Sequence, residues 1–366
     1  MEQRPAFCTF GMFIIDEIEY LDNKSPEEKI IGGAGTYAAL GARLAAGSQN
    51  AQSVGWIIDM GSDFPPQFKT LIDTWNTKCV FRLDNTRLTT TGWNGYGPNE
   101  YRENVQLRPN QAFKYLTPKL RLDEHSLSNE QVMARSFHMV CSPQRCISII
   151  TGVIARRKLF APDEPRPIFV WEPVPDLCTP EEFERLREAA AMVDVVSPNA
   201  EELEAFFPST SHRIPRNEMV ARLLGLGSEG ALRTALVVRE GALGCTTYVD
   251  GDMLHLRAFH QTGNRVIDPT GGGNAFLGAL AQGLTGIVSE TVPEQLAGNR
   301  KSLVSQRKNL LLALVHATIA AGYAIEQVGM PTVSVLEPDT WNGERYQTRF
   351  AAYLDREQSH ITNQLQ

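Results

Sequence analysis

Apolar positions in this chain come in short runs separated by longer stretches of helical periodicity. That rhythm predicts a mainly parallel sheet covered by helices on both faces, an α/β fold. Strands are predicted over 7–15, 54–58, 137–141, 168–171, 193–196, 234–238 and 265–267. Helices are predicted over 34–46, 65–75, 180–191, 200–207, 216–226, 274–284 and 303–328. Two regions break the rhythm. Segments 17–31 and 86–115 are rich in Thr, Tyr, Asn and Arg, and Thr91, Trp93 and Gly95 alternate with Gly92, Asn94 and Tyr96. They predict a small antiparallel sheet standing apart from the core, a flap able to cover a ligand. The stretch 155–167, with Arg156, Arg157, Lys158 and three prolines, reads as a solvated surface connection. Residues 1–340 are expected to form one domain with lid segments near 16–31 and 86–115. Residues 341–366 are expected to be a tail tethered by Trp341, Tyr346, Phe350 and Tyr353 as far as Leu354.

Composition narrows the function. The 366 residues are 42% hydrophobic, enough for a large buried core. The net charge of −7, from 35 basic and 42 acidic residues, argues against a direct nucleic-acid binder, which needs a basic face. No apolar run reaches membrane-spanning length, and Met1-Glu2-Gln3-Arg4-Pro5 lacks a signal peptide's apolar stretch. The expectation is a soluble cytoplasmic protein without a membrane partner. The six cysteines show no metal-ligand spacing and read as buried, reduced thiols.

Candidate chemistry centres on Asp268-Pro269-Thr270-Gly271-Gly272-Gly273-Asn274, which follows the apolar pair Val266-Ile267 and opens a helix-forming run. Three successive glycines let backbone N–H groups curl inward, and the helix start adds partial positive charge, so an anion is stabilised there. Asn274 stands where an acid would make chemical sense.

Four glycine or Asn/Glu elements occur in one register: Gly32-Gly33-Ala34-Gly35, Asn199-Ala200-Glu201-Glu202, Gly241-Ala242-Leu243-Gly244, and the loop from Asp268 to Asn274. In that order they resemble the pfkB, or ribokinase-like, carbohydrate kinases over residues 7–331. The wording Phe13-Ile14-Ile15-Asp16-Glu17-Ile18, Trp171-Glu172-Pro173 and the Gly-rich loop is similar to the fungal maintenance-of-killer-like branch. The resemblance implies an α/β sandwich with a β lid, a substrate alcohol under the lid, and ATP along the sheet edge. It also implies magnesium, and relatives often pair through the lid sheet into a homodimer.

Carried over residue by residue, Asp16 matches the acid that grips substrate hydroxyls, or else caps a strand end. Gly32, Gly33 and Gly35 match the turn that lets substrate approach the backbone. Tyr37 replaces a frequent asparagine and offers a ring face to a flatter substrate, or packs the helix. Asn199 and Glu202 match the element that positions magnesium through waters, or form a helix cap with Glu202 at its third position. Gly241 and Gly244 match the turn under the nucleotide. Arg239 and Glu240, preceding it, either reach a phosphate with Glu240 tying Arg239 back, or form a surface ion pair. The resemblance places Asp268 and Thr270 at the phosphates, with Asp268 serving the metal or its waters, or else replacing the base and vacating that role. Gly271, Gly272 and Gly273 hold the transferring phosphoryl charge, and Asn274 takes the place of the aspartate base. His260 is a further candidate base that nothing in the sequence aims at the site, and His316 and Tyr323 read as packing residues. Trp93, Tyr96 and Arg102 either contact a ligand or cover the core.

Three functions follow. The first is an ATP- and magnesium-dependent phosphotransferase acting on a hydroxyl of a sugar, nucleoside or related small alcohol, slowed by Asn274. The second is a silent nucleotide- or sugar-binding pseudokinase acting through a partner. The third is a repurposed enzyme using the anion hole on a phosphorylated or carboxylated substrate.

Overall fold

The computed structural model describes residues 4–20, 25–96, 113–207, 214–226, 233–293 and 309–365. The chain opens with β1 (Phe7–Thr9), β2 (Ile14–Tyr20), β3 (Glu27–Gly32) and α1 (Ala34–Ala46). Then come β4 (Val54–Met60), α2 (Pro66–Asp73), β5 (Lys78–Leu83), β6 (Thr91–Tyr96) and β7 (Phe113–Tyr115). The middle holds β8 (Ser136–Cys141), α3 (Pro143–Phe160), β9 (Ile168–Pro173), α4 (Phe183–Ala190), β10 (Val195–Val196), α5 (Ala200–Ala205) and α6 (Arg216–Leu224). The last third holds β11 (Ala235–Arg239), β12 (Cys245–Val249), β13 (Asp252–Leu256), α7 (Gly272–Leu284), α8 (Leu310–Ala324) and α9 (Tyr346–Leu365).

Nine strands form the central sheet in the order β13-β12-β11-β10-β9-β8-β1-β4-β5. The strands from β11 to β5 are parallel, and β12 and β13 add an antiparallel edge. Because strand side chains alternate faces, each strand feeds two cores. Val170, Val195 and Val237 pack with α1, α7, α8 and α9, whereas Trp171, Val196 and Val238 pack with α3, α4 and α6. A separate four-stranded sheet, in the order β3-β2-β6-β7, makes the lid. All six cysteines are unpaired, and five are buried. No helix among the described residues is long and apolar enough to cross a membrane.

Several expectations are corrected. The first strand is two: β1 in the central sheet and β2 in the lid. The lid is mixed rather than antiparallel, because β2 and β6 run parallel. Residues 265–267 form no strand. A short turn spans Gly263–Arg265, and Ile267 and Asp268 donate their N–H groups to Ile325 O at 2.8 and 3.2 Å, which pins this segment to the end of α8. The basic run is not a solvated turn: it ends α3, and Arg157 is buried, donating to Val132 O and Ala134 O at 2.9 Å. Arg102 and the first residues of the predicted 303–328 helix lie outside the described residues.

The segment 341–365, expected as a partly packed tail, reaches the core along its length. Trp341 stacks edge-on against Trp75, and α9 carries Tyr346, Phe350, Tyr353, Ile361 and Leu365 into the first core. Arg349, fully buried on α9, lies 3.6 Å from the centre of the Tyr323 ring and donates to Glu326 at 3.0 Å and Glu344 at 2.8 Å. A buried carboxylate stripped of its partner is costly. Arg349→Ala should therefore lower unfolding free energy by about 3–5 kcal/mol, read as a lower urea midpoint.

Candidate active site

Helices α1 and α7 approach backbone to backbone: a Cβ on Gly41 would sit 1.9 Å from Ala275 O, and one on Gly278 would sit 1.9 Å from Ala38 O. That contact brings the start of α7 against Tyr37. The turn itself is built locally. Asp268 Oδ1 accepts from Thr270 N at 2.9 Å, and Gly272 N donates to Pro269 O at 3.2 Å. Gly271 takes φ +79°, a left-handed conformation that favours glycine, and a Cβ there would meet the Tyr37 ring at 2.3 Å. On the other side, a Cβ on Gly273 would meet Arg239 Nη1 at 2.1 Å. An aromatic ring and a guanidinium thus flank the turn. The N–H groups of Gly271, Gly273 and Asn274 have no acceptor among the described residues. Unpaired N–H groups at a helix start are donors of the kind an anion needs.

Two cavities meet at this turn. The first, about 640 Å³, lies under the lid and is lined by Asp16, Tyr37, Asn94, Phe113, Gly271 and Asn274. Asn94 Nδ2 donates to Asp16 Oδ1 at 3.0 Å. Gly32 makes room for this acid, because a Cβ there would sit 1.8 Å from Asp16 Oδ2. Gly33 also lines the cavity, and Gly35 packs on Gly11 O, leaving no space for a side chain. Asn274 Oδ1 is buried and has no hydrogen-bond partner among the described residues.

The second cavity, about 460 Å³, is lined by Arg239, Gly241, Gly244, Phe259, Gly273 and Ile325, with an apolar floor from α8. Gly241 and Gly244 adopt φ +56° and +102° in the turn that forms its rim. Thr270, Gly271 and Asn274 line the first cavity, while Pro269, Gly272 and Gly273 line the second. The turn is the wall between them.

Arg239 and Glu240 do not pair with each other. Glu240 accepts from Arg216 at 3.2 Å and from Thr246 at 2.6 Å, while Arg239 turns inward. Its Nη2 donates to Glu172 Oε1, to Ser197 O at 3.1 Å and to Glu202 Oε2 at 3.4 Å. Asn199 and Glu202 close a capping box, Asn199 N donating to Glu202 Oε2 and Glu202 N to Asn199 Oδ1, each at 2.8 Å. Magnesium was expected here through waters. Asn199 Oδ1 and Glu202 Oε2 accept from backbone N–H groups and from Arg239, so the pair offers only Glu202 Oε1 to a divalent ion or its waters. The apolar floor and unpaired N–H groups do fit a nucleotide.

Glu172, near the end of β9, joins the site, although in the sequence it stood out only within the Trp171-Glu172-Pro173 wording, without a site role. Its signal was an acid closing an otherwise apolar strand. Of the histidines, His260 lies 3.0 Å from Glu326 and lines the second cavity, and His316 is buried against Tyr346. Neither lines the substrate side.

Over 372 residues the chain is 33% identical to Protein MAK32 of Saccharomyces cerevisiae, covering 97% of this chain and 93% of that one. The model described as pfkB family carbohydrate kinase matches residues 169–292. The chain belongs to the pfkB family. An uncharacterized protein of Schizosaccharomyces pombe is 31% identical across 97% of this chain and 94% of its own, and the two yeast relatives support the fungal branch. The fold is similar to ribokinase from Giardia lamblia, at TM-score 0.64 and 14% identity, over 97% of this chain and 99% of that one. It is also similar to a putative ribokinase II from E. coli in complex with ATP and magnesium, at TM-score 0.60 and 13% identity, over 96% and 99% of the two chains. Adenosine kinase from Schistosoma mansoni, in complex with 2-fluoroadenosine, matches at TM-score 0.62 and 14% identity over 91% and 98%. The family is that of carbohydrate kinases, and the fold is one shared with ribokinase and adenosine kinase.

Burial, reinforced by the Glu172 charge, raises the Glu202 carboxyl from its ordinary 4.5 to about 7. The folded chain therefore holds this proton more tightly than the unfolded chain. Its stabilising contribution is complete below the ordinary value of 4.5 and is lost as pH rises through about 7. Glu202→Gln should flatten that fall in a profile of Tm against pH.

Proposed function

We propose that this pfkB-family chain is an ATP-dependent phosphotransferase acting on a hydroxyl of a small alcohol, and that it turns over slowly. The observation that carries the reading is the pair of cavities meeting at a turn whose Gly271, Gly273 and Asn274 N–H groups are unpaired among the described residues. Asp16 and Asn94 grip substrate hydroxyls under the lid, and Tyr37 presents a ring to the rest of the molecule. Bound nucleotide supplies the phosphoryl group. The turn's N–H groups stabilise charge on the transferring group, in a dry, preorganised position. Asn274 Oδ1 orients the attacking hydroxyl by accepting its hydrogen bond but takes no proton at neutral pH. As the O–P bond forms and the bond to ADP breaks, the hydroxyl proton therefore passes to a phosphoryl oxygen and then to solvent.

Phosphoryl transfer through a loose transition state depends more on positioning and charge than on a base. Loss of the base costs about 10²–10⁴ in rate. Lys119, Arg121 and Arg145 also line the first cavity, with no carboxylate partner among the described residues. That favours a hydroxyl substrate carrying an acidic group. The second reading, a silent nucleotide-binding relative, is favoured by Asn274 itself.

Millimolar ATP should raise Tm, because a ligand that binds only the native state stabilises by mass action; no shift would sink both readings. Asn274→Asp should raise ADP release in the presence of substrate by about 10²–10⁴. An unchanged zero rate with nucleotide bound would leave the silent reading standing. In a screen of alcohols, phosphorylated compounds should raise Tm more than their parents.

A further inference from the structure

Beneath the start of α7 two acids converge, Glu172 from the end of β9 and Glu202 from the first turn of α5, and one guanidinium lies between them. Arg239 Nη2 bridges both carboxylates and Ser197 O. Its Nη1 lies against the backbone of Gly273, in space that any side chain there would fill. One end of the guanidinium thus holds the acids, while the other lies beside a turn with unpaired N–H groups. Arg239 also lines the second cavity.

We propose that Arg239 is the resident cation of this site, standing in for a divalent ion, so that nucleotide phosphates bind at the turn without metal. The inference rests on the reading that the second cavity takes a nucleotide. A guanidinium is never deprotonated in a protein, so its charge is permanent. Its planar fork reaches two carboxylates and a neighbouring phosphate oxygen together, which the single ammonium of a lysine does less well. The same arrangement disfavours a metal, although Glu172 Oε2 stays buried without a partner among the described residues. Glu202 Oε2 already accepts from Asn199 N and Arg239, Glu172 Oε1 from Arg239, and a second cation would meet like charge. The absence of a side chain at Gly273 is what lets the guanidinium come this close.

The test measures ADP and ATP affinity calorimetrically on the full chain, in excess EDTA and in magnesium. For the wild type, the two Kd values should agree within about threefold. Arg239→Thr should weaken binding in EDTA by about 10- to 100-fold, the worth of a charge-assisted hydrogen bond. Arg239→Lys, which keeps the charge, should recover part of that loss. Wild-type binding that needs magnesium would overturn the inference and leave the nucleotide reading intact. No binding in either buffer would overturn both. The wild-type comparison decides the matter even if Arg239→Thr fails to fold.

Discussion

Helices α1 and α7 touch backbone to backbone at Gly41 and Gly278, leaving no room for a side chain at either point. Close packing of this kind transmits position without slack. It sets Tyr37 on one face of the Gly271 turn and aims the first turn of α7 at the seam between the two cavities. The lid strands, the Asp16–Asn94 pair and the apolar floor of α8 all acquire their relation to the anion turn from that contact. A side chain at Gly41 or Gly278 would move the site's wall, not merely loosen the core.

The electrostatics of the site are arranged around burial. Glu172 and Glu202 sit in a low-dielectric pocket where two carboxylates cannot both ionise without compensation. Arg239 supplies the compensation and faces the turn as well. The site therefore carries a positive charge on a side chain already in place beside the turn, while Asn274, in the first turn of α7, is an amide that takes no proton at neutral pH. Both groups lie against one loop, the turn at the start of α7.

Much of this was legible because it depends on local residue chemistry. The helix 34–46 and the helix after Gly271 follow from small apolar residues after a glycine turn, and the alternating runs mark the strands. What misled was context. Arg157 sits in a basic run that looks solvated, yet three carbonyl oxygens around it make burial tolerable. Residues 265–267 have strand composition but bond to the end of α8. The C-terminal aromatics announced contact with the core, but their helical spacing continues to Leu365, and only the packed partners show that it is core throughout.

By itself the sequence determined the α/β alternation, the anion turn with its asparagine, and membership of a family, because glycine positions and apolar periodicity act within a few residues of themselves. The tertiary structure decided which groups share a pocket. Glu172, Glu202 and Arg239 are separated by 30 or more residues, and only the parallel pairing of β9, β10 and β11 brings their ends together. Whether Arg239 faced solvent, Glu240 or two buried acids depended on that pairing, since a side chain's charge partners follow from the strands beside it and not from its neighbours along the chain.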